Sequence, residues 1–323
     1  MAEYKGIKGF TLQFLSADPT ANRGDTWYNS TTKLAKYSGV TTAGSWATGG
    51  NLGTASLDGA SAGIQTASIY AGRVTGAGNY TNTSEKYDGT SWTATPGLNT
   101  ARRAGTGIGT QGAASVVAGQ VPGSLTAAVE NFNGSSWTAG PSINTARRSL
   151  GSSASGSQTA MIVFGGTPSG TATESWNGSS WTAVTALTTS RYVLGGAGTQ
   201  TSALAFGGEA PPHSNATEEW GGSSWTNGGN LGTARYGGGS AGTQTAALYM
   251  SGGNAPIVTN VEKYDGSSWS AETVVPAGAS KTNGAGTQTA ALMIGGGTPW
   301  PATTNTLEFT GAGATLTKTI ETD

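Results

Sequence analysis

The sequence predicts an all-β chain, a six-bladed β-propeller led by a short N-terminal β-hairpin. Three periodic markers carry that expectation. The Trp of an "SW" pair recurs at Trp46, Trp92, Trp137, Trp181, Trp225 and Trp269, in steps of 44 to 46 residues. A Glu recurs at Glu85, Glu130, Glu174, Glu218, Glu262 and Glu308, and a Gln at Gln65, Gln111, Gln158, Gln200, Gln244 and Gln288. Four short strands in a repeat of about 45 residues make one propeller blade.

The unit that starts at Thr145 shows how each element arises. "TARRSLGSSAS" is small-residued, as a strand crowded against the central axis must be. "QTAMIVFGG" is an apolar run of strand length ending in a Gly pair, and "TATESW" alternates as a half-buried strand does. "NG" then predicts a tight type I′ hairpin turn, with "DG" at Asp88 and Asp265 and "GG" at Gly221 in the same place. "SSWTAV" returns as the outer strand, its Trp filling the wedge between neighbouring blades. The six periodic Trp are therefore expected in the core.

Arg, an apolar strand ending in Gly-Gly, a Tyr or Trp and then a second Trp follow one another in "RSLGSSASGSQTAMIVFGG…ESWNGSSW" and "RYGGGSAGTQTAALYMSGG…EKYDGSSW". This order resembles the kelch repeat over residues 46–310, and the resemblance implies one four-stranded blade per unit. The first Trp precedes any Gln, and the last unit has no Trp after Glu308. Three closures fit: the strand around Trp46 completes the blade begun near Lys281, "ATLTKTI" near the C-terminus supplies that strand, or residues 1–48 form a seventh blade. The expected division is an N-terminal attachment segment over 1–43, the propeller over 44–310 and a C-terminal tail over 311–323.

Composition removes several functions. Net charge is −1 and only 10% of residues are charged, which argues against nucleic acid, since its binding needs a basic face to displace counterions. No apolar run reaches the roughly 18 residues of a membrane span, and the first residues lack a signal peptide's apolar core. With no Cys and a single histidine, His213, thiolate metal sites and His-based triads have no second member. The copper chemistry of oxidases built on kelch propellers lacks its Cys and His for the same reason. No cofactor, metal or catalytic residue is expected. Arg102, Arg147, Arg191 and Arg235 recur with the Glu and are expected to pair with them structurally, with Ser56 standing where the first unit's Arg belongs.

Binding is expected on the connections that follow the Gly pair, which vary most between units. Three side chains there depart from the repeat: Trp300 between two prolines, His213 in "GEAPPHSNAT", and Tyr80. At the N-terminus, "GDTWYNSTTKLAKYSG" resembles a short hairpin of bacteriophage tail-fibre and other virion proteins, and the whole opening is similar to structural proteins of marine phages. The resemblance implies a virion location: a non-enzymatic tail-fibre or surface-spike component, attached to other virion proteins through its N-terminus. Its loops would meet a host surface glycan or protein, with no nucleic acid and no membrane insertion, and with the chain as a candidate homo-oligomer. The alternative is a cellular kelch-type protein- or glycan-binding adaptor.

Overall fold

A computed structural model of the chain describes residues 13–18, 26–40, 43–253, 256–297, 301–312 and 315–320. Every regular element among them is a β-strand, gathered into seven sheets. The chain divides into two compact units, residues 46–309 and residues 1–45 with 310–323.

The larger unit holds six sheets, numbered here as blades 1 to 6. Blades 2 to 5 each use four consecutive antiparallel strands, over residues 106–140, 151–184, 195–227 and 239–272. Blade 1, over residues 56–95, has its innermost strand split into Ser56–Leu57 and Ala60–Ile64, both paired with Ala67–Thr75. Blade 6 takes three strands from 283–310, and its fourth is Ser45–Thr48, which carries Trp46. The first of the three closures is therefore the observed one. "ATLTKTI" pairs elsewhere, and blade 6 bonds directly to blade 1, which leaves no gap for a seventh blade.

Three sets of hydrogen bonds run around the ring. At the axis, Asp58, Ala104, Ser149, Val193, Gly237 and Lys281 occupy one position per blade, all left-handed with φ between 51° and 63°. Their backbones join head to tail: Ala104 N–H to Asp58, Ser149 to Ala104, Val193 to Ser149 and Gly237 to Val193, at 2.6 to 3.0 Å. The Thr282 amide donates to Gly237, and the Asp58 amide donates to Lys281, closing the circle at 3.1 Å. Further out, each periodic Gln reaches back to the preceding blade. Gln158 Nε2 donates to Ala114 and Phe132 carbonyls at 2.7 Å, and Gln65 spans the seam to Ala291 and Phe309 at 3.2 and 2.7 Å.

Between these levels the inner strands pack through small residues. Ser61, Gly107, Ser152, Gly196, Ser240 and Gly284 alternate around the axis. A Cβ on Gly107, Gly196 or Gly284 would lie 2.3 to 2.4 Å from the carbonyl oxygen of the serine in the preceding blade. That distance excludes any side chain at these three positions.

The aromatic wedge follows the expected plan. Each hairpin is flanked by a ring pair, such as Phe132 with Trp137, Trp176 with Trp181 and Tyr264 with Trp269, at centroid distances of 5.0 to 5.5 Å. In blade 6 the pair is Phe309 with Trp46, from opposite ends of the larger unit, at 5.0 Å. Trp137, Trp181 and Trp225 are buried, and Trp46, Trp92 and Trp269 are half-buried against the same clusters. The turns between the paired rings differ from the expected type I′. They hold four residues, as in Asn177 to Ser180, and only the Gly has positive φ (94° at Gly178). The Asn177 side-chain oxygen accepts the Ser179 and Ser180 amides at 2.9 Å, so an Asx turn shapes the loop.

The smaller unit is one sheet in the order Gln13–Leu15, Thr26–Asn29, Leu34–Val40, Thr315–Ile320, its first pair parallel and the others antiparallel. The segment expected as a C-terminal tail over 311–323 thus contributes a strand here. The "TWYN" motif has a physical basis: Asp18 accepts hydrogen bonds from Trp27 Nε1, Asn29 Nδ2 and Lys36 Nζ, and Lys36 above all holds that carboxyl at about 2. Asn29 Oδ1 then accepts the Thr31 and Thr32 amides and fixes the turn.

Candidate functional site

The periodic charges belong to the frame. Arg102, Arg147 and Arg191 donate through Nη2 to Glu130, Glu174 and Glu218 of their own blades at 2.6, 2.9 and 2.8 Å. Arg235 pairs with Glu262 of its own blade through Nη1 instead. The arginines are essentially inaccessible to solvent. Burial lowers the pKa of Arg102, Arg147 and Arg191, and each partner carboxylate opposes it. Each Glu also accepts an amide of the connection entering its blade, from Asn99, Asn144, Thr188 or Gly232, at 2.6 to 2.7 Å. Arg147 Nη1 holds the Gly165 and Ala172 carbonyls. A buried pair so tied joins three backbone segments.

Blades 1 and 6 correct the sequence reading of this set. In blade 1, Ser56 does stand at the Arg position, but Arg73 supplies the missing cation from the second position of the degraded Gly pair and meets Glu85 at 2.7 Å. In blade 6 the Arg position is Ala279, and the position equivalent to the other Glu is Leu307. Glu308 is one residue out of register and accepts a hydrogen bond from the Tyr87 hydroxyl of blade 1. Both members of the ion pair are gone together.

What the frame does not explain gathers at one end of the axis. A cavity of about 100 Å³ lies there, lined at its mouth by Asp58, Ala104, Ser149, Val193, Gly237 and Lys281. Beside this ring stand Arg103, Arg148, Tyr192 and Tyr236, each the residue immediately after a periodic Arg. They bridge to Gln120, Thr167, Glu209 and Gly253, the first residues of the variable connections. All four are half-buried.

The polar contacts converge. Arg103 Nε and Nη2 donate to Gln120 Oε1 at 3.2 and 3.0 Å, and Arg148 Nη1 donates to the same oxygen. Asp58 lies 3.4 Å from Arg103 and 3.7 Å from Lys281. Burial pushes the Asp58 carboxyl above the usual carboxylate range, while Lys281, Arg103 and Arg148 pull it back. Burial, then the hydrogen bond to Glu209, raises the Tyr192 phenol.

Two of the three loop candidates join this cluster. The Tyr80 ring lies 5.1 Å from the Arg103 guanidinium, and the His213 ring lies 4.9 Å from Tyr236. His213 Nδ1 is buried without a partner. Trp300 lies outside the described residues. The residues that sequence reasoning passed over are Asp58, Arg103, Gln120, Arg148, Tyr192, Glu209, Tyr236 and Lys281. A signal for four of them was present: in "ARRA", "ARRS", "SRYV" and "ARYG" the third position changes from Arg to Tyr while the second is always Arg. No group of three His, Asp or Glu able to hold a metal occurs among the described residues.

No family model and no curated protein matches the chain. Solved structures do match. The structure of YjhT aligns with a TM-score of 0.66 at 12% identity, covering 84% of this chain and 99% of that one. The fold is a kelch-like β-propeller. At that identity the likeness extends to the fold and no further.

Proposed function

We propose that this protein is a structural component of a bacteriophage virion, a tail fibre or surface spike, whose propeller recognises the host surface by binding rather than catalysis. The observation that carries the binding half of the reading is the channel mouth: half-buried Arg103, Arg148, Tyr192 and Tyr236 stand where the repeat varies, and they serve none of the ring's closing bonds. The virion half rests on the N-terminal "GDTWYNSTTKLAKY" and its resemblance to virion hairpins. Repeated copies on one particle would compensate for a weak individual contact.

Immunogold labelling of purified particles with antibody against this chain tests the placement, and label on the particle surface is the expected result. Label confined to host cell extract would instead favour the cellular adaptor. One observation favours a hydrolase as a second reading. Asp58 is a carboxyl raised by burial at a cavity mouth, as a general acid would be. Release of reducing sugar from host envelope glycans, abolished by Asp58→Asn, would support that reading over binding.

A further inference from the structure

The channel mouth is divided by blade into two chemically different halves. Blades 6, 1, 2 and 3 contribute Lys281, Asp58, Arg103 and Arg148, and blades 4 and 5 contribute Tyr192 and Tyr236. The charged half is not neutralised. Three cations face the single carboxylate of Asp58, which they approach no closer than 3.4 Å, against 2.6 to 2.9 Å in the buried frame pairs from Arg102, Arg147 and Arg191. Gln120 offers two guanidinium groups one neutral oxygen. Among the described residues Arg148 has no carboxylate partner, and Glu209 is turned to Tyr192. A half-buried guanidinium without a counter-charge is a strong site for an oxyanion, which it meets in bidentate geometry. Arg148 and Tyr236 lie near enough to Tyr192 to act on its phenol, so two half-buried aromatic rings stand beside this cation.

We infer that the channel mouth binds the oxyanion of an acidic glycan, a carboxylate or sulfate group, between Arg148 and the Arg103–Lys281 side, with the sugar ring against Tyr192 and Tyr236. The choice of glycan as the bearer of that anion rests on the host-surface reading. Asp58 is then the competing internal anion, and removing it makes the site stronger.

Calorimetric titration of the full chain tests this with four probes: hexagalacturonate, dextran sulfate, neutral dextran and poly-L-glutamate. The two acidic glycans are expected to bind, more weakly at high salt, and neutral dextran is not. The tighter of the two acidic probes identifies a uronate or a sulfate as the source. Arg148→Gln should weaken binding at least about tenfold, the worth of one charge-assisted pair, with a melting temperature near that of the wild type. Lys281→Gln is the substitute if that variant does not fold. Asp58→Asn should tighten binding several-fold, an outcome that a merely structural role for these residues does not produce. Equal binding of neutral dextran, weakening by Asp58→Asn, no binding of either acidic glycan, or tighter binding of poly-L-glutamate would each overturn the inference, the last in favour of an acidic protein partner. Absence of label on particles, with acidic-glycan binding intact, would remove the virion placement and leave this site standing.

Discussion

Blades 4 and 6 solve one packing problem with opposite chemistry. In blade 4 the centre is Arg191 with Glu218, both inaccessible and tied into the Gly207 and Ala216 carbonyls and the Thr188 amide. In blade 6 the same two positions hold Ala279 and Leu307, and both sit in an apolar cluster with Phe309 and Trp46. No blade among the described residues keeps one charge without the other, because blade 1, lacking the usual Arg, recruits Arg73. A buried ion pair is weak support for stability as a pair, yet costly to break by halves. The comparison separates what the repeat requires, a filled and self-satisfied blade centre, from what it merely uses.

The largest expected effect breaks blade 4 by halves. Glu218→Leu leaves the Arg191 guanidinium buried and uncompensated, and should cost about 3–5 kcal/mol in urea unfolding. Adding Arg191→Met imitates blade 6 and should recover most of that loss. A double variant as unstable as the single would mean that the carbonyls held by Arg191 matter more than its charge.

Trp181→Ala sharpens the comparison from the side of the wedge. It removes a buried indole from the cluster shared with Trp176, Val129 and Ile143, at a cost of about 3–5 kcal/mol. Trp46→Ala in blade 6 should cost less, since Trp46 is only half-buried. It should also speed hydrogen exchange in Thr306–Thr310, the strand its own strand pairs with.

A smaller effect concerns where each indole N–H goes. Trp92, Trp225 and Trp269 donate to Thr306, Thr173 and Thr217 hydroxyls of the preceding blade at 2.8 to 3.2 Å. Where that position is Val129 or Val261, Trp181 and Trp46 turn to the Pro141 and Thr273 carbonyls instead. Blade 2 falls between the two solutions. Ser84 holds the position, and both its hydroxyl and Trp137 Nε1 are buried without a partner. Ser84→Thr supplies the rotamer-restricted hydroxyl of the satisfied blades and should stabilise by about 0.5–1.5 kcal/mol. An unchanged urea midpoint would show that the two groups do not meet.

These regularities mark how far the sequence could be read. The blade count and the core Trp were legible because each repeats at a fixed interval, while the missing Trp after Glu308 narrowed the closing strand to three candidates without choosing among them. The role of Gln65 and its five counterparts was not, since a staple to the previous blade is a contact between residues some 20 to 250 apart with no local signature. Glu308 misled because its spacing of 46 from Glu262 looks like the drift seen among the Trp, and only strand register shows it facing the next blade. The channel mouth stayed hidden because its residues come from six separate repeats, and a left-handed ring built on Val193 or Lys281 leaves no mark that propensity would find.

The smallest effect is expected at the hairpin tips, where blades 1 and 5 use Asp and blades 2 and 3 use Asn. Asp88 accepts the Thr90 hydroxyl and the Thr90 and Ser91 amides at 2.7 to 2.8 Å, and Asn133 and Asn177 accept the corresponding Ser amides at 2.9 to 3.0 Å. Only the charged version titrates. The Thr90 hydroxyl and then the Ser91 and Thr90 amides hold the Asp88 carboxyl at about 2, below the roughly 3.9 of an unfolded chain. A depressed folded value means that the contribution is complete above the unfolded value and is lost as pH falls through the folded one. Asp88→Asn should therefore leave the melting temperature at pH 7 almost unchanged, because the fold already accepts Asn in this loop twice. Between pH 4 and pH 2 the wild type should lose stability more steeply than the variant, by the share of one exposed carboxylate. Parallel melting curves over that range would show instead that the loop is held by the oxygen's geometry alone, with the charge adding nothing.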